Sequence, residues 1–281
     1  SQLAFVNTAG ARLAVIAASA EELAKKLTQA ADSIERAPTA DYSTPTGVYY
    51  ATGAADAGQL AFLFPGQGSQ YVGMGAAVAM AFEEARQAWD AAANQRFDGV
   101  ALHEVVFPNP VFNDADREAQ QKALTATEWA QPALGVHSQS LANVLHVLGL
   151  RPDCVAGHSF GEVSALHEAG VLDAVSLLKV ARRRGELMRD ASQVPGAMTA
   201  VARALDVVRA ALTESGAKVV VANHNSPTQV VLSGSVEEIT KVEAALSAKG
   251  ITAKRLPVAT AFHSPLVAGS SGPFAEFLQG E

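Results

Sequence analysis

Gly157-His158-Ser159-Phe160-Gly161 sets a serine between two glycines, and the apolar residues Cys154, Val155 and Ala156 lead directly into it. A strand, a tight turn and a helix from near Glu162 form the setting in which a serine projects as a nucleophile. The glycines permit the sharp turn and keep side chains out of the way. A helix N-terminus behind Ser159 favours developing negative charge. Together these features suggest acyl transfer through a serine ester. Ser159 and Glu162 also spell S-x-x-E, so a plain helix cap is the competing reading.

A nucleophilic serine needs a base, and the chain has seven histidines. His103, His137, His146, His167 and His224 have nothing chemical nearby in sequence and read as surface or core residues. His158 adjoins the nucleophile, but neighbours at a sharp turn point apart, so it reads as structural. His263 follows an expected strand end in Thr260-Ala261-Phe262-His263-Ser264-Pro265. Its place where the chain returns from one lobe to another makes it a candidate base, without excluding the others.

Arg184 is flanked three, four and seven residues away by Leu177, Val180, Leu187 and Met188, so it emerges within an apolar helical stripe. Arg183 faces a mostly solvated side, and Arg182 is intermediate. A guanidinium in an apolar stripe needs an anion. A substrate carboxylate, held bidentately, fits that need; an internal ion pair is the alternative. Gln67 lies in the turn Pro65-Gly66-Gln67-Gly68-Ser69-Gln70, which lacks the ending of a phosphate-binding loop. Its backbone N–H could form an oxyanion hole with that of Phe160; a tight turn with Ser69 as a helix cap is the alternative.

The elements expected to position these groups give an α/β fold. Residues 1–58 read as a small α/β unit: a strand over Ala11–Ala18, a helix from Ala20 to about Arg36 capped by Ser19, a strand at Tyr49-Tyr50, and a linker-like run Ala54–Gly58. A large subdomain over 59–196 and 258–281 opens with the strand Leu60–Phe64. A helix is expected from the Gln67 turn through about Ala93. A loop follows over Asn109–Asp116, and then a helix from Glu128 to Leu148 capped by Thr127. The elbow strand and its helix come next, then a helix over Asp173–Ala191. This alternation predicts an open parallel sheet with helices on both faces. Residues 197–257 predict strand, helix, two strands, helix and a final strand Ala253–Val258, a ferredoxin-like βαββαβ insert.

With 281 residues the chain can bury a sizeable core. Its net charge of −7 and lack of a basic tract argue against nucleic acid. The single cysteine, Cys154, points to a reducing cytosol. No cysteine–histidine cluster has metal-ligand spacing, no apolar run is long enough to span a membrane, and Ser1–Gly10 lacks the pattern of a signal peptide.

Phe64-Pro65-Gly66-Gln67-Gly68-Ser69-Gln70, Gly157-His158-Ser159-Phe160-Gly161-Glu162 and Ala261-Phe262-His263-Ser264-Pro265 fall in order, with Arg184-Gly185-Glu186-Leu187-Met188 between the last two. From about Leu60 to Pro273 the chain resembles the malonyl-CoA:acyl carrier protein transacylase family, in its form as an acyltransferase domain of a type I polyketide synthase. The resemblance implies an α/β-hydrolase-like large subdomain. It gives Ser159 as nucleophile, His263 as base, backbone N–H groups of Gln67 and Phe160 as oxyanion hole, and Arg184 as partner of the malonyl carboxylate. No bound cofactor is implied. Malonyl-CoA is the donor, the phosphopantetheine thiol of an acyl carrier protein is the acceptor, and a ketosynthase and other synthase domains are partners. Residues 1–58 resemble a ketosynthase–acyltransferase linker. Phe107-Pro108-Asn109-Pro110-Val111-Phe112 is similar to iterative enediyne- or polyunsaturated-fatty-acid-type synthases. Phe262, before the histidine, is the malonyl-type residue, and the bulk of Phe160 is expected to crowd a branched acyl chain. Relatives continue several tens of residues past Glu281 and orient the histidine by a later backbone carbonyl. A serine hydrolase or editing thioesterase, and an inactive docking domain, are the rival readings.

Overall fold

The computed structural model describes residues 10–53, 58–192, 194–256, 258 and 260–280. Contacts divide the chain into two units, Ser1–Gln59 and Leu60–Glu281. The linker-like run Ala54–Gly58 lies, but for Gly58, outside the described residues.

In the first unit, β1 (Gly10–Val15), β2 (Tyr42–Ser43) and β3 (Val48–Gly53) form an antiparallel sheet in the order β1-β3-β2, and α1 (Ala20–Arg36) follows β1. Ser19 caps α1 by accepting from the Glu22 N–H at 3.1 Å, and Glu22 accepts in return from Ala18 N–H at 2.8 Å. This reciprocal cap fixes where the helix begins.

The second unit starts with β4 (Ala61–Phe64) and turns into α2 (Ala76–Ala81) and α3 (Glu83–Ala93). The single helix expected up to Ala93 is therefore broken. Gly73 and Gly75 hold positive φ and Phe82 is extended, so no continuous helical ladder can form. A small hairpin of β5 (Arg96–Phe97) and β6 (Val100–Ala101) leads to α4 (Leu102–Val106) and α5 (Asp114–Thr125). Helix α5 begins inside the stretch expected to be loop, because the Asn113 side chain caps it by accepting from Asp116 N–H at 2.8 Å. Thr127 does not cap the next helix, α6 (Thr127–Val147); it is the first residue of it, and Ala126 stands at the cap. After α6 come β7 (Cys154–Gly157), α7 (Gly161–Glu168) and α8 (Ala174–Ala191). Asp173 caps α8 by accepting from Ser176 N–H at 2.7 Å.

Among the described residues, β4 and β7 form a two-stranded parallel sheet with Phe64 paired to Gly157. Helices α6 and α8 pack on each other, and their apolar faces share a core with Met74, Leu102, Leu124, Phe160 and Val163. Pro132 inside α6 has no N–H to offer the carbonyl of Glu128. Arg182 of α8 supplies that hydrogen bond instead, at 3.2 Å. Arg182 is thus the internal arginine. Its side chain is 5 % exposed, pairs with Glu186 at 2.7 Å and Asp98 at 3.0 Å, and lies over the rings of Phe97 and Trp129.

The remaining elements are β8 (Gly196–Val201), α9 (Leu205–Ser215), β9 (Val220–Ser226), β10 (Gln229–Ser235), α10 (Val236–Ala248) and β11 (Ala253–Arg255). Their sheet order, β11-β8-β10-β9, is antiparallel throughout. This is the ferredoxin-like βαββαβ arrangement. One sheet face packs on α9 and α10 through Val201, Val230, Leu232, Ile239 and Val242. The other presents Met198 and Val231 to Met188, Phe262 and Val267. The last strand stops at Arg255, short of the expected Val258. A 3-10 turn (Pro265–Ser270) and α11 (Ser271–Leu278) complete the described chain. Among the described residues no helix is long and apolar enough to cross a membrane.

Candidate active site

The parallel pairing of β4 and β7 continues into the elbow, where His158 N–H donates to Phe64 O at 3.0 Å. The turn is then so tight that glycine is obligatory on both sides. A Cβ on Gly157 would lie 2.0 Å from the Gly161 carbonyl carbon, and one on Gly161 would lie 2.0 Å from Phe64 O. Between them Ser159 sits at φ 55°, a left-handed conformation that non-glycine residues rarely hold. Such strain survives only where surrounding structure imposes it, and it collects at functional sites.

Ser159 Oγ is 2.8 Å from His263 Nε2, across 104 residues of sequence. The side chain does not cap α7, whose cap position is the αR residue Phe160 with no side-chain cap bond. His263 also sits at φ 55°. Its loop is held by Ser264, whose hydroxyl donates to Ala261 O at 2.6 Å and accepts from Leu266 N–H at 3.2 Å. Desolvation at the cavity wall, then the charges of Arg184 and His158, push His263 below the usual histidine value, with Glu162 opposing. The imidazole is therefore biased to the neutral, proton-accepting form.

Apart from His158, the other histidines lie outside this site. His146 Nε2 pairs with Glu168 at 2.6 Å, and His167 Nδ1 contacts Leu172 O at 2.8 Å. His137 is pushed down by burial. His158, adjoining the serine, is exposed and lines the same cavity.

That cavity, about 120 Å³, lies between the elbow and the sheet of β8–β11. Gln67, Gln131, Arg184 and Phe262 line it with Ser159 and His263, opposite Met198, Asn223, Asn225 and Val231. Arg184 reaches it from α8. Its Nη1 donates to Gln131 Oε1 at 2.9 Å, and among the described residues it enters no ion pair. Burial lowers its pKa and the charge of Glu162 raises it; an arginine stays charged in such a setting. The internal-pair alternative for Arg184 is realised at Arg182 instead.

Gln67 is held by its side chain, whose Oε1 accepts from Thr127 Oγ1 at 2.6 Å and from Gln131 Nε2 at 3.4 Å. Ser69 caps no helix; its hydroxyl donates to Gly66 O at 2.9 Å. Among the described residues, neither Gln67 N–H nor Phe160 N–H is spent on a protein acceptor. The expectation that the Phe160 ring crowds the acyl chain is not met. The ring is fully buried in the core, against Gly135, and does not line the cavity. Gln131, Thr127, Asn223 and Asn225 were not signalled as site residues by the sequence. Gln131 reads as an ordinary helix position, Thr127 as a helix cap and Asn225 as a turn residue.

Residues 61–275 match the acyl transferase domain family. The malonyl CoA-acyl carrier protein transacylase of Synechocystis is 38 % identical over 223 residues, covering 78 % of this chain and 68 % of the relative. Mycoketide-CoA synthase of Mycobacterium tuberculosis is 36 % identical over 229 residues, covering 81 % of this chain and 5 % of the synthase. The solved acyltransferase domain from the second module of the salinomycin polyketide synthase superposes with a TM-score of 0.76 at 35 % identity, over 95 % of this chain and 58 % of that one. The chain belongs to the acyl transferase domain family. It spans only a small part of the large synthases it matches.

Proposed function

We propose that this domain transfers a malonyl group from malonyl-CoA to the phosphopantetheine thiol of an acyl carrier protein, within a cytoplasmic polyketide or polyunsaturated fatty acid synthase. One observation carries the reading: a Ser159–His263 pair at 2.8 Å shares its cavity with Arg184, a cation that no described carboxylate pairs. A plain esterase has no use for such a cation. The names of the Synechocystis and mycobacterial relatives support the same reading.

In the first half-reaction Ser159 Oγ attacks the thioester carbon while His263 Nε2 takes its proton. The backbone N–H groups of Gln67 and Phe160 hold the resulting oxyanion. Collapse breaks the carbon–sulfur bond, and His263 returns the proton to the departing CoA thiolate. The carrier thiol then repeats the sequence in reverse: it loses its proton to His263, attacks the serine ester, and Ser159 leaves reprotonated. Arg184 pairs with the malonyl carboxylate throughout. Phe262, buried on the cavity wall, limits room for an α-branch. The ketosynthase and neighbouring synthase domains are the expected covalent partners.

Intact-protein mass spectrometry after brief mixing with malonyl-, methylmalonyl- or acetyl-CoA tests this reading. One malonyl adduct is expected, and none in Ser159→Ala. Free CoA release without an adduct would instead indicate a hydrolase, and an adduct that persists in Ser159→Ala would remove the serine from its role.

A further inference from the structure

The Gln131 side chain is 1 % exposed, yet it sits in the wall of the cavity and spends every polar atom it has. Its Oε1 accepts from Arg184 Nη1 at 2.9 Å. Its Nε2 faces Thr127 Oγ1 at 3.1 Å, Gln67 Oε1 at 3.4 Å and Met188 Sδ at 3.6 Å. The amide can be oriented in only one way. The Thr127 hydroxyl commits its proton to Gln67 Oε1 at 2.6 Å, so towards Gln131 it can only accept. Turning the amide over would also set its NH2 against a guanidinium. Donors therefore run in one direction, from Arg184 to Gln131 to Thr127 to Gln67.

We propose that Gln131 is a positioning residue that sets the preference for a carboxylated acyl group, by holding the Arg184 guanidinium in the cavity without cancelling its charge. The proposal rests on the transacylase reading above. An arginine has much side-chain freedom to lose when it captures an anion, and a tether made beforehand removes that loss from the binding step. The tether must be neutral. A carboxylate at 131 would give Arg184 a permanent partner and leave the incoming malonyl group to compete with it. Thr127 extends the same chain to the Gln67 loop, which serves every acyl group alike.

Two substitutions separate these roles. Gln131→Glu offers the guanidinium an internal anion; Gln131→Met keeps the volume beside Met188 and removes the tether. The readout is the ratio of malonyl to acetyl loading rates from CoA esters, measured by intact-protein mass spectrometry on the whole chain. Acetyl loading reports on fold and on the Ser159–His263 pair, so a general structural defect cancels in the ratio. Gln131→Glu is expected to lower the ratio by about 10- to 100-fold, the worth of a hydrogen bond to a charged group. Gln131→Met is expected to lower it by a smaller factor. Thr127→Val is expected to slow both loadings together and leave the ratio where it was. A wild-type ratio in Gln131→Met overturns the proposal, whatever Gln131→Glu shows. If the wild-type chain itself takes no malonyl group, the transacylase reading falls and this inference with it. If the wild type loads malonyl and the ratio is insensitive to residue 131, only this inference falls.

Discussion

The two walls of the cavity are built in different ways. The wall that carries Ser159 and Gln67 is locked by contacts that leave no room for one more carbon atom. It holds a serine at positive φ, glycines in backbone contact, and a buried polar chain from Arg184 to Gln67. The facing wall, on β8–β10, is an antiparallel sheet that presents Met198 and Val231, with Asn223 and Asn225 from β9, whose register against β10 is shifted. Its own core lies on the far face, under α9 and α10. In the proposed mechanism the nucleophile and the oxyanion N–H groups come from the locked wall, and the sheet shapes part of the cavity opposite them. His263 follows the return from the sheet, held by the Ser264 turn against the serine.

The sharpest way to break this contrast is to add one carbon to the locked wall. Gly161→Ala would put a methyl group 2.0 Å from Phe64 O, a backbone atom in the parallel pair that has no flexible end to swing away. The expected outcome is failure to fold, or a loss of stability of about 4 kcal/mol or more, read by thermal denaturation. A folded, loading-competent Gly161→Ala protein would show that the elbow is not locked.

These constraints were legible to very different degrees. The elbow is local in sequence: the strand, two glycines and the serine lie within eight residues, so spacing alone discloses it. The βαββαβ insert is legible for a related reason, because each strand and helix carries its own periodicity. Arg184 was visible from the helical stripe around it, whereas the internal role of Arg182 was not. That role depends on Asp98, 84 residues away, and on a carbonyl left free by Pro132. Gln131 was hidden for the same reason, since Gln67 and Arg184 lie 64 and 53 residues off in sequence, and Thr127, one turn before it, is an ordinary i,i+4 neighbour that marks nothing by itself. The break between α2 and α3 depends on the extended backbone at Phe82, which an alanine-rich stretch conceals. Phe160 misled because a bulky residue beside a nucleophile invites a role in the pocket, while the turn sends its ring into the core.

A second test probes electrostatics within the locked wall. Arg184 and His158 both lower the His263 pKa. A neighbouring cation disfavours the imidazolium, so removing it must raise that pKa. Arg184→Ala is therefore expected to shift the acid limb of the acetyl-loading pH profile to higher pH, because His263 must be neutral to accept the serine proton. The same variant should lose malonyl loading by about 10- to 100-fold more than acetyl loading, since it removes a charge-assisted pair. An unmoved acid limb with equal loss of both substrates would place Arg184 outside the site's field and deny it the carboxylate.

The smallest effect is expected on the facing wall, and it sharpens the comparison most. Val231 is nearly buried, lines the cavity, and belongs to a strand whose opposite face already has its own core. Val231→Ala removes two methyl groups from the acyl side at a cost of about 1–2 kcal/mol in stability. Its side chain has no polar atom and takes no part in the hydrogen-bonded chain from Arg184 to Gln67, so malonyl loading should persist. The space released should admit an α-methyl group more readily. Discrimination by apolar shape is shallow, so the preference for malonyl over methylmalonyl should fall by up to about 10-fold. Competition between the two CoA esters, read as adduct masses on one sample, measures that ratio directly. Collapse of malonyl loading to the level of the Gly161→Ala protein would show that both walls are equally rigid. A changed ratio with intact malonyl loading is what a yielding wall opposite a locked one requires.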